Sequence, residues 1–157
     1  MPKDAGAVVS LQVVPGNHAT AEFRDAVVAV EGKGIEGDWH FHRRDRAVLL
    51  MDQGDLRDLE LRSGDLREQI TLDLEGLMFL PPGTMLRIGD VTLELSKVCA
   101  PCTHIGEHVG VENVEGFRDR LQGRRGMLAR VASVEGRGGI RVGDRVEVRR
   151  SVTAPAG

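Results

Sequence analysis

The stretch Leu86-Arg87-Ile88-Gly89-Asp90-Val91-Thr92-Leu93-Glu94-Leu95 has the pattern of a β-hairpin. Apolar and polar residues alternate on both sides of a Gly-Asp pair, which is typical of two half-buried strands joined by a tight turn. The same order, apolar-Arg-apolar-Gly-Asp followed by alternation, recurs over residues 140–148, and Gly64-Asp65 is a third Gly-Asp pair. We therefore predict a fold that repeatedly turns a strand back on itself.

Five further segments have the alternation of strands, and two others have the spacing of short helices. Asp52 is the predicted N-cap of the first helix, and Asn113 begins the second. A doubly wound sheet would need helices between most strands, so the pattern favours a mainly β fold. We predict a closed or nearly closed β-barrel of short, mostly antiparallel strands with a few short helices. The further strands are predicted at 7–14, 26–30, 46–51, 70–74 and 127–134, and the helices at 52–61 and 113–121.

The size and charge of the chain limit its class. With 157 residues, 41% of them hydrophobic, the chain can bury one core. We predict a single domain over residues 1–157 with a flexible tail at 151–157. The formal net charge of −3 argues against a nucleic-acid-binding protein. No apolar run reaches the roughly 18 residues of a membrane helix and no apolar leader follows Met1, so we expect a cytoplasmic protein that does not bind membranes.

Arginine dominates the basic residues of the chain. Eighteen of the 21 basic residues are arginines. The planar guanidinium offers a fork of hydrogen-bond donors to anions, but a GC-rich coding sequence gives the same bias, and the composition alone favours that second interpretation.

Both cysteines of the chain lie in Cys99-Ala100-Pro101-Cys102, which follows the hairpin. Four interpretations of this C-x-x-C motif are open. A dithiol redox pair is typical of a motif that opens a helix in a βαβ unit, which the β-rich surroundings disfavour, and a zinc site would need His104 and His108 as further ligands. The thiols could instead pack as small apolar side chains. In the fourth interpretation, one thiolate binds a soft transition metal or a transferable sulfur, and Thr103 and His104 donate hydrogen bonds to a bound group.

Several segments follow one another in a recognisable order. The first are Gly34-Ile35-Glu36-Gly37-Asp38-Trp39-His40 and residues 66–74. The hairpin then leads into the C-x-x-C motif, and Arg124-Arg125-Gly126-Met127-Leu128-Ala129-Arg130-Val131 and Val142-Gly143-Asp144 come last. In this order they resemble the MOSC domain family, named for the C-terminal domain of molybdenum cofactor sulfurases, over about residues 27–149. The resemblance implies a β-barrel-rich fold that binds the molybdenum cofactor, a molybdopterin whose dithiolene holds molybdenum.

The resemblance assigns the functional sulfur to Cys102. In the family this cysteine is a molybdenum ligand in members that reduce N-hydroxylated compounds, or a proposed persulfide carrier that delivers sulfur. Cys102 is therefore the predicted catalytic residue and metal ligand of an oxidoreductase or sulfur transferase. Cys99 has a counterpart only in some members and is expected to be an auxiliary thiol. The chain has no sulfurase domain and no ferredoxin set of cysteines, so electrons or sulfur would come from a separate electron donor or sulfurase.

The resemblance also implies a set of cofactor-binding residues. The loop at Gly37 to His40 resembles the family's turn near the cofactor, and Arg124-Arg125 resembles a late segment suited to the cofactor phosphate. Many members have Glu-Asn before the central strand, where this chain has Glu68-Gln69 and so carries the amide on a longer arm. The predicted cofactor-binding residues are Gly37, Asp38, His40, Gln69, Thr71, Thr103, Arg124 and Arg125.

Two other functions stay open at this point. The change to Gln69 is compatible with a barrel that has kept the fold and lost the chemistry, as a non-catalytic binding or interaction module. The C-x-x-C motif with its two nearby histidines is compatible with a zinc-binding module.

Overall fold

The computed structural model describes residues 4–150, which form eleven strands and a few short helices. The strands are β1 (Ala5–Val13), β2 (Glu22–Arg24), β3 (Ala26–Val30), β4 (Gly34–Ile35), β5 (Val48–Asp52), β6 (Ile70–Asp73), β7 (Met85–Ile88), β8 (Val91–Val98), β9 (Met127–Val134), β10 (Gly139–Arg141) and β11 (Arg145–Arg149). The α-helices are α1 (Gln53–Asp58), α2 (Thr103–Val109) and α3 (Val114–Arg120), and the 3₁₀ helices are Arg44–Arg46 and Leu77–Phe79. The predicted tail at 151–157 lies outside the described residues. No helix in residues 4–150 is long and apolar enough to cross a membrane.

Seven of these strands close into a barrel. Their order is β11-β7-β8-β9-β5-β6-β1, and β1 pairs back onto β11, with Ala5 opposite Glu147 and Ala7 opposite Arg145. Neighbouring barrel strands are antiparallel except β5 and β6, which are parallel and are connected through α1. Outside the barrel, β2 pairs with β1, and β10, β3 and β4 form a small separate sheet. The prediction of a closed, mostly antiparallel barrel is confirmed.

The apolar side chains of β8 point into the barrel interior. Val91, Leu93 and Leu95 are buried and the residues between them are partly exposed, because successive side chains of a strand point to opposite faces. These three side chains belong to one buried cluster with apolar residues of the neighbouring strands, such as Leu86 of β7. The period-2 pattern read from the sequence therefore corresponds to the inner face of the barrel.

Strand β5 is buried on both faces, as its continuous apolar run predicts. Leu50 belongs to the barrel core. Met51 belongs to a second cluster, which contains Ile105 of α2 and Phe117 of α3. Leu49 packs toward the C-x-x-C motif in a third cluster. The strand therefore joins the barrel to the helices and to the loops at one barrel end.

The second Gly-Asp repeat is not a hairpin. Gly89-Asp90 does turn β7 back onto β8, but β10 pairs with β3 in the small sheet, whereas β11 pairs with β7 and β1 in the barrel. Gly143 donates its backbone N–H to Val8 O at 2.9 Å, so β1 holds the turn where the chain passes from one sheet to the other. Gly64-Asp65 lies in the loop between α1 and β6. The prediction of a strand reversal was wrong for two of the three pairs.

The helix predictions are only partly right. The side chain of Asn113 accepts a hydrogen bond from Gly116 N at 2.9 Å and so caps α3. Asp52 occupies the N-cap position of α1, but its carboxylate accepts from Leu74 N at 2.9 Å and makes no capping hydrogen bond. The sequence does not predict α2, which has Cys102 at its N-cap position. The C-x-x-C motif thus opens a short helix, but β8 and β9 on either side are antiparallel, unlike the strands of a βαβ unit.

Candidate functional site

Four loops meet at one end of the barrel, around the C-x-x-C motif. Cys99 N donates to Gly126 O at 2.8 Å, which holds the motif against the loop that precedes β9. Gln69 N donates to Leu49 O at 3.1 Å, and Leu49 N donates to the side-chain Oε1 of Gln69 at 2.6 Å. These bonds join the segment before β6 to β5. The loop between β4 and β5 completes the set through Asp38.

Asp38 is the centre of a buried hydrogen-bond network. Its carboxylate accepts from Val14 N at 2.7 Å and from His40 N at 2.8 Å, and the ring Nδ1 of His40 lies 3.0 Å from Oδ2. Burial raises the pKa of Asp38, but the hydrogen bonds from His40 and Val14 outweigh burial and hold the pKa below its usual 3.8. The carboxylate is therefore ionised at neutral pH, so the hydrogen-bond network assigns the proton of His40 to Nδ1.

A small cavity of about 160 Å³, which we call the inner chamber, lies beside this network. Cys99 is only 9% exposed there and packs with Leu49 and Leu128. Among the residues that the structure describes, four arginines and no carboxylate line the chamber. The lining residues are His40, Arg43, Arg46, Leu49, Arg67, Gln69, Cys99, Arg125 and Leu128.

A larger cavity of about 540 Å³, which we call the outer groove, adjoins the inner chamber, because Arg67 and Arg125 line both. Cys102 is exposed in this groove, and its Sγ lies 4.0 Å from Nδ1 of His104. Burial and the charge of Arg67 lower the pKa of His108, which is therefore uncharged at neutral pH. The lining residues are Asn17, His18, Arg67, Cys102, His104, Ile105, Glu107, His108 and Arg125.

The two shared arginines have hydrogen-bond donors to spare. Arg67 Nη2 donates to Asn17 O at 2.6 Å and to Gly16 O at 3.2 Å. Within residues 4–150, however, Arg67 Nε and Arg125 Nη1 are buried and have no hydrogen-bond partner. Burial and the charge of Arg125 lower the pKa of Arg67, which agrees with two partly desolvated cations close together. Such a pair is suited to an anion.

Behind the inner chamber, Glu68 is buried. The Thr71 hydroxyl donates to Glu68 Oε2 at 3.2 Å, and Gln12 Nε2 donates to the backbone carbonyl of Glu68 at 2.9 Å. Burial raises the pKa of Glu68 from its usual 4.5 to about 7, although hydrogen bonds and the charge of Arg125 act in the opposite direction. Neither Glu68 nor Thr71 lines the inner chamber or the outer groove.

Comparison with known families and structures assigns the chain to a family. The family model of the MOSC domain matches residues 36–147. The chain belongs to the MOSC domain family. The matched range contains every residue that lines the inner chamber and all of those that line the outer groove except Asn17 and His18. None of the curated proteins compared with this MOSC domain matches it.

Solved structures share the fold of this MOSC domain. YuaD from Bacillus subtilis has a TM-score of 0.80 at 18% identity, over 96% of this chain and 100% of that protein. YiiM from Geobacillus stearothermophilus has a TM-score of 0.72 at 19% identity, over 96% of this chain and 79% of that protein. For YiiM from Escherichia coli the values are 0.65 and 18%, over 97% and 71%. At these identities the likeness shows the fold alone, and it agrees with the fold predicted from the sequence.

The MOSC domain gathers five of the predicted site residues at one place. His40, Gln69 and Arg125 line the inner chamber, Asp38 supports the first two from behind, and Cys102 lies in the outer groove. The longer arm of Gln69 is accommodated, because its amide bonds both Asp38 and the backbone of β5. Gln69 is therefore part of the hydrogen-bond network beside the inner chamber.

The other four predicted residues lie apart from the two cavities. Gly37 has a φ of 83°, which favours glycine, and forms the turn before the Asp38 network. Thr71 faces Glu68, and Thr103 lies in the first turn of α2 and lines neither cavity. Arg124 lines a separate acidic cleft, where burial raises the pKa of Asp55 and the charge of Arg124 opposes that rise.

The two cysteines line different cavities, Cys99 the inner chamber and Cys102 the outer groove. The Cys99 thiol contacts its neighbour's carbonyl, Ala100 O, at 3.8 Å. In the part of the chain that the structure describes, no three His, Cys, Asp or Glu side chains are arranged to hold a metal ion. The zinc set that the sequence suggests, with His104 and His108 as partners of the thiols, is therefore not formed.

Sequence reasoning missed three arginines of the inner chamber. Arg43 and Arg46 follow the glycine-rich loop, and Arg67 directly precedes the Glu68-Gln69 pair, so all three lie beside segments that carry the family resemblance. This proximity was the available signal. The sequence does not show that the three side chains meet.

Proposed function

We propose that this MOSC domain binds the molybdenum cofactor in the outer groove, with the Cys102 thiolate as a ligand to molybdenum or as the carrier of a persulfide sulfur. The observation that carries this proposal is an exposed thiol, Cys102, in a groove whose wall contains two arginines with donors that have no partner in the described part of the chain. The volume of about 540 Å³ falls in the range of roughly 300–1,000 Å³ that is usual for small-molecule sites.

The donor set of the groove fits a sulfur-ligated, anionic cofactor. Thiolates are preferred ligands of soft transition metals. Arg67 Nε and Arg125 Nη1 are buried and have no hydrogen-bond partner among residues 4–150, and guanidinium groups bind phosphate through parallel charge-assisted hydrogen bonds. An anionic group placed between them would satisfy both donors, which removes the cost of leaving them buried and unpaired.

The residues of the groove have distinct roles in this proposal. When bound, the cofactor supplies a metal centre for the two-electron reduction of N-hydroxylated compounds, or a centre that accepts sulfur. Arg67 and Arg125 bind and orient the anionic end. Cys102 must lose its proton to act as a ligand or nucleophile, and His104 Nδ1, 4.0 Å from the sulfur, is placed to take that proton. Because Cys102 is exposed, a separate electron donor or sulfurase can reach it.

Metal and pterin analysis tests cofactor binding. We would express the wild type, Cys102→Ser and Cys99→Ser in a host that makes the molybdenum cofactor, and measure molybdenum by mass spectrometry and pterin by fluorescence. We expect both signals in the wild type and in Cys99→Ser, and a loss of molybdenum in Cys102→Ser. The proposal fails if the wild type carries neither molybdenum nor pterin, or if Cys102→Ser retains as much molybdenum as the wild type.

Two further measurements separate the reductase from the sulfur carrier. Turnover of an N-hydroxylated base by cofactor-loaded protein with a supplied electron donor supports the reductase. A mass increase of one sulfur atom on the Cys102 peptide after incubation with a cysteine-desulfurising enzyme and cysteine supports the carrier. If loaded protein shows neither result, cofactor binding stands but both proposed reactions are wrong.

A further inference from the structure

A further cavity, which we call the back pocket, shares one wall with the outer groove. Its volume is about 180 Å³, below the roughly 300 Å³ at the lower end of ordinary small-molecule sites, so it suits one functional group of a ligand. His108 lines both cavities and forms their shared wall. The residues that line the back pocket include Thr20, Phe23, Ser63, Gly64, Asp65 and His108.

The charge of the back pocket is negative, unlike that of the arginine-lined inner chamber. Among the residues that the structure describes, one carboxylate, that of Asp65, lines the back pocket and no lysine or arginine does. Within residues 4–150 Asp65 forms no ion pair. Burial and the charge of Arg67 lower the pKa of His108, so the imidazole adds no positive charge at neutral pH. The back pocket is therefore suited to a cation.

The turn that contains Asp65 holds its carboxylate in place. Oδ2 accepts a hydrogen bond from Arg62 N at 2.8 Å, and Asp65 N donates to Arg62 O at 3.1 Å. Oδ1 makes no hydrogen bond within the described part of the chain. The carboxylate therefore has a fixed position and an oxygen that can accept from a ligand.

Phe23 supplies an exposed aromatic surface to the back pocket. The residue is 64% exposed, and an aromatic face attracts a cation placed over it. Gly64 keeps the space beside the ring open, because its φ is 90° and a Cβ there would lie 4.0 Å from Phe23 Cζ and 3.4 Å from Ala21 Cβ. The neighbouring Arg24 is paired with Glu22 at 2.9 Å, so its charge is balanced locally.

Two hydroxyl groups complete the lining. Ser63 and Thr20 line the back pocket, and neither side chain makes a hydrogen bond to another group in residues 4–150. With Asp65 they offer three acceptor groups, and a primary ammonium carries three N–H donors. The small volume also favours a compact ammonium over the broader planar fork of a guanidinium.

We propose that the back pocket binds the primary ammonium group of an alkylamine. The Asp65 carboxylate and the hydroxyls of Ser63 and Thr20 accept its N–H bonds, and the Phe23 ring lies against the cation. A longer alkyl chain extends past His108 into the outer groove. The site uses neither Cys102 nor the arginines of the groove, so amine binding does not require that the groove bind a molybdenum cofactor.

An NMR titration of the ¹⁵N-labelled full chain with ethylammonium chloride, at constant ionic strength, tests this site. We expect saturable shifts of the backbone amides of Phe23, Gly64 and Asp65 at millimolar concentration. The affinity should fall about tenfold or more in Asp65→Asn, the loss expected when one charge-assisted hydrogen bond is removed, and about two- to fivefold in Phe23→Leu. Asparagine keeps an acceptor for Arg62 N and Phe23 is exposed, so Phe23→Leu remains informative if Asp65→Asn fails to fold.

The matched control is Asp119→Asn, because Asp119 is an exposed carboxylate that does not line the back pocket. This variant should bind ethylammonium as the wild type does. Tetramethylammonium has no N–H donor and should bind about tenfold more weakly or worse. The proposal is overturned if ethylammonium gives no saturable shifts, if Asp119→Asn weakens binding as much as Asp65→Asn does, or if tetramethylammonium or methylguanidinium binds as tightly as ethylammonium.

A second titration with hexylammonium tests the route past His108. We expect the longer amine to shift the amides of His104 and Glu107 in the outer groove as well as those of the back pocket. Shifts confined to the back pocket would show that the chain does not enter the groove. If ethylammonium binds while the wild type carries no molybdenum, the amine site stands and the cofactor proposal fails.

Discussion

The side-chain amide of Gln69 donates to both carboxylate oxygens of Asp38, at 3.2 Å each. The oxygen of the same amide accepts from Leu49 N at 2.6 Å. The buried side chain of Gln69 therefore connects the loop before β5 to the segment before β6. It also holds the Asp38 carboxylate, which accepts from His40, in place. This is the position at which the chain differs from the Glu-Asn pattern of its family, and the longer side chain is fully used.

The substitution Gln69→Glu should strongly destabilise the protein. It places a second carboxylate against Asp38 in a buried site and removes a donor that bonds both of its oxygens, so we expect a loss of roughly 2–4 kcal/mol in the free energy of unfolding. Chemical denaturation at neutral pH measures this change. The matched control is Gln122→Glu at an exposed position, which should change stability by less than about 0.5 kcal/mol. Equal losses of stability in the two variants would show that the Gln69–Asp38 contact does not stabilise the protein.

Glu68 should make the stability of the protein depend on pH. Burial raises its pKa in the folded protein from 4.5 to about 7, so the folded state keeps this proton to higher pH than the unfolded state does. The contribution of Glu68 to stability is therefore fully present below pH 4.5 and is lost as the pH rises toward and through 7, a total of about 3 kcal/mol. Denaturation curves collected from pH 4.5 to 8 measure this loss.

The variant Glu68→Gln removes the titrating group and keeps an acceptor for Thr71. The free energy of unfolding of the variant should fall less than that of the wild type over the same pH range. The variant should therefore gain stability relative to the wild type as the pH rises. Glu112→Gln at an exposed position is the control and should follow the wild type. Parallel curves for Glu68→Gln and the wild type would contradict the assignment.

The barrel could be predicted from the sequence because its strands carry local signals. The alternation of β8 and the Gly89-Asp90 turn concern neighbouring residues, and both are found in the structure. The pairing of β10 could not be predicted in the same way, because Ile140 lies opposite Val27, a residue from the other end of the chain. Strand β2, with three exposed residues, has no buried face to produce a pattern.

The candidate site could be predicted only in part for a related reason. Arg43, Arg67 and Arg125 come from three separate segments, and the fold of the barrel brings them to one cavity. In the sequence alone, nothing distinguishes any of them from an ordinary surface arginine. Helix α2 escaped prediction because Gly106 suggests a turn. The glycine is instead placed where α2 and α3 approach closely, since a Cβ there would lie 3.2 Å from Val114 Cα. Contacts between separate elements explain both the group of arginines and helix α2, and the local sequence does not contain those contacts.

The two thiols should react at different rates in the folded protein. Cys102 is exposed and Cys99 is 9% exposed in the third apolar cluster, and reagent access limits thiol reactivity. We expect iodoacetamide to label Cys102 first, with Cys99 labelled at a comparable rate only after unfolding. Peptide mass mapping over time measures both sites. Cys102→Ser should remove the fast phase and Cys99→Ser should retain it. A fast phase that survives in Cys102→Ser would place the accessible sulfur at Cys99 and contradict the role given to Cys102.

Arg124 and Arg125 offer a matched test of the cofactor proposal, because these adjacent residues line different cavities. Arg125→Gln removes a buried donor of the outer groove, so the molybdenum and pterin content of the purified protein should fall by about tenfold, as expected for a lost charge-assisted hydrogen bond. Arg124→Gln affects only the acidic cleft around Asp55 and should leave cofactor content close to that of the wild type. Thermal unfolding of both variants provides the folding control. Equal cofactor loss in two folded variants would mean that proximity to the outer groove does not decide binding, and the role given to Arg125 would have to be withdrawn.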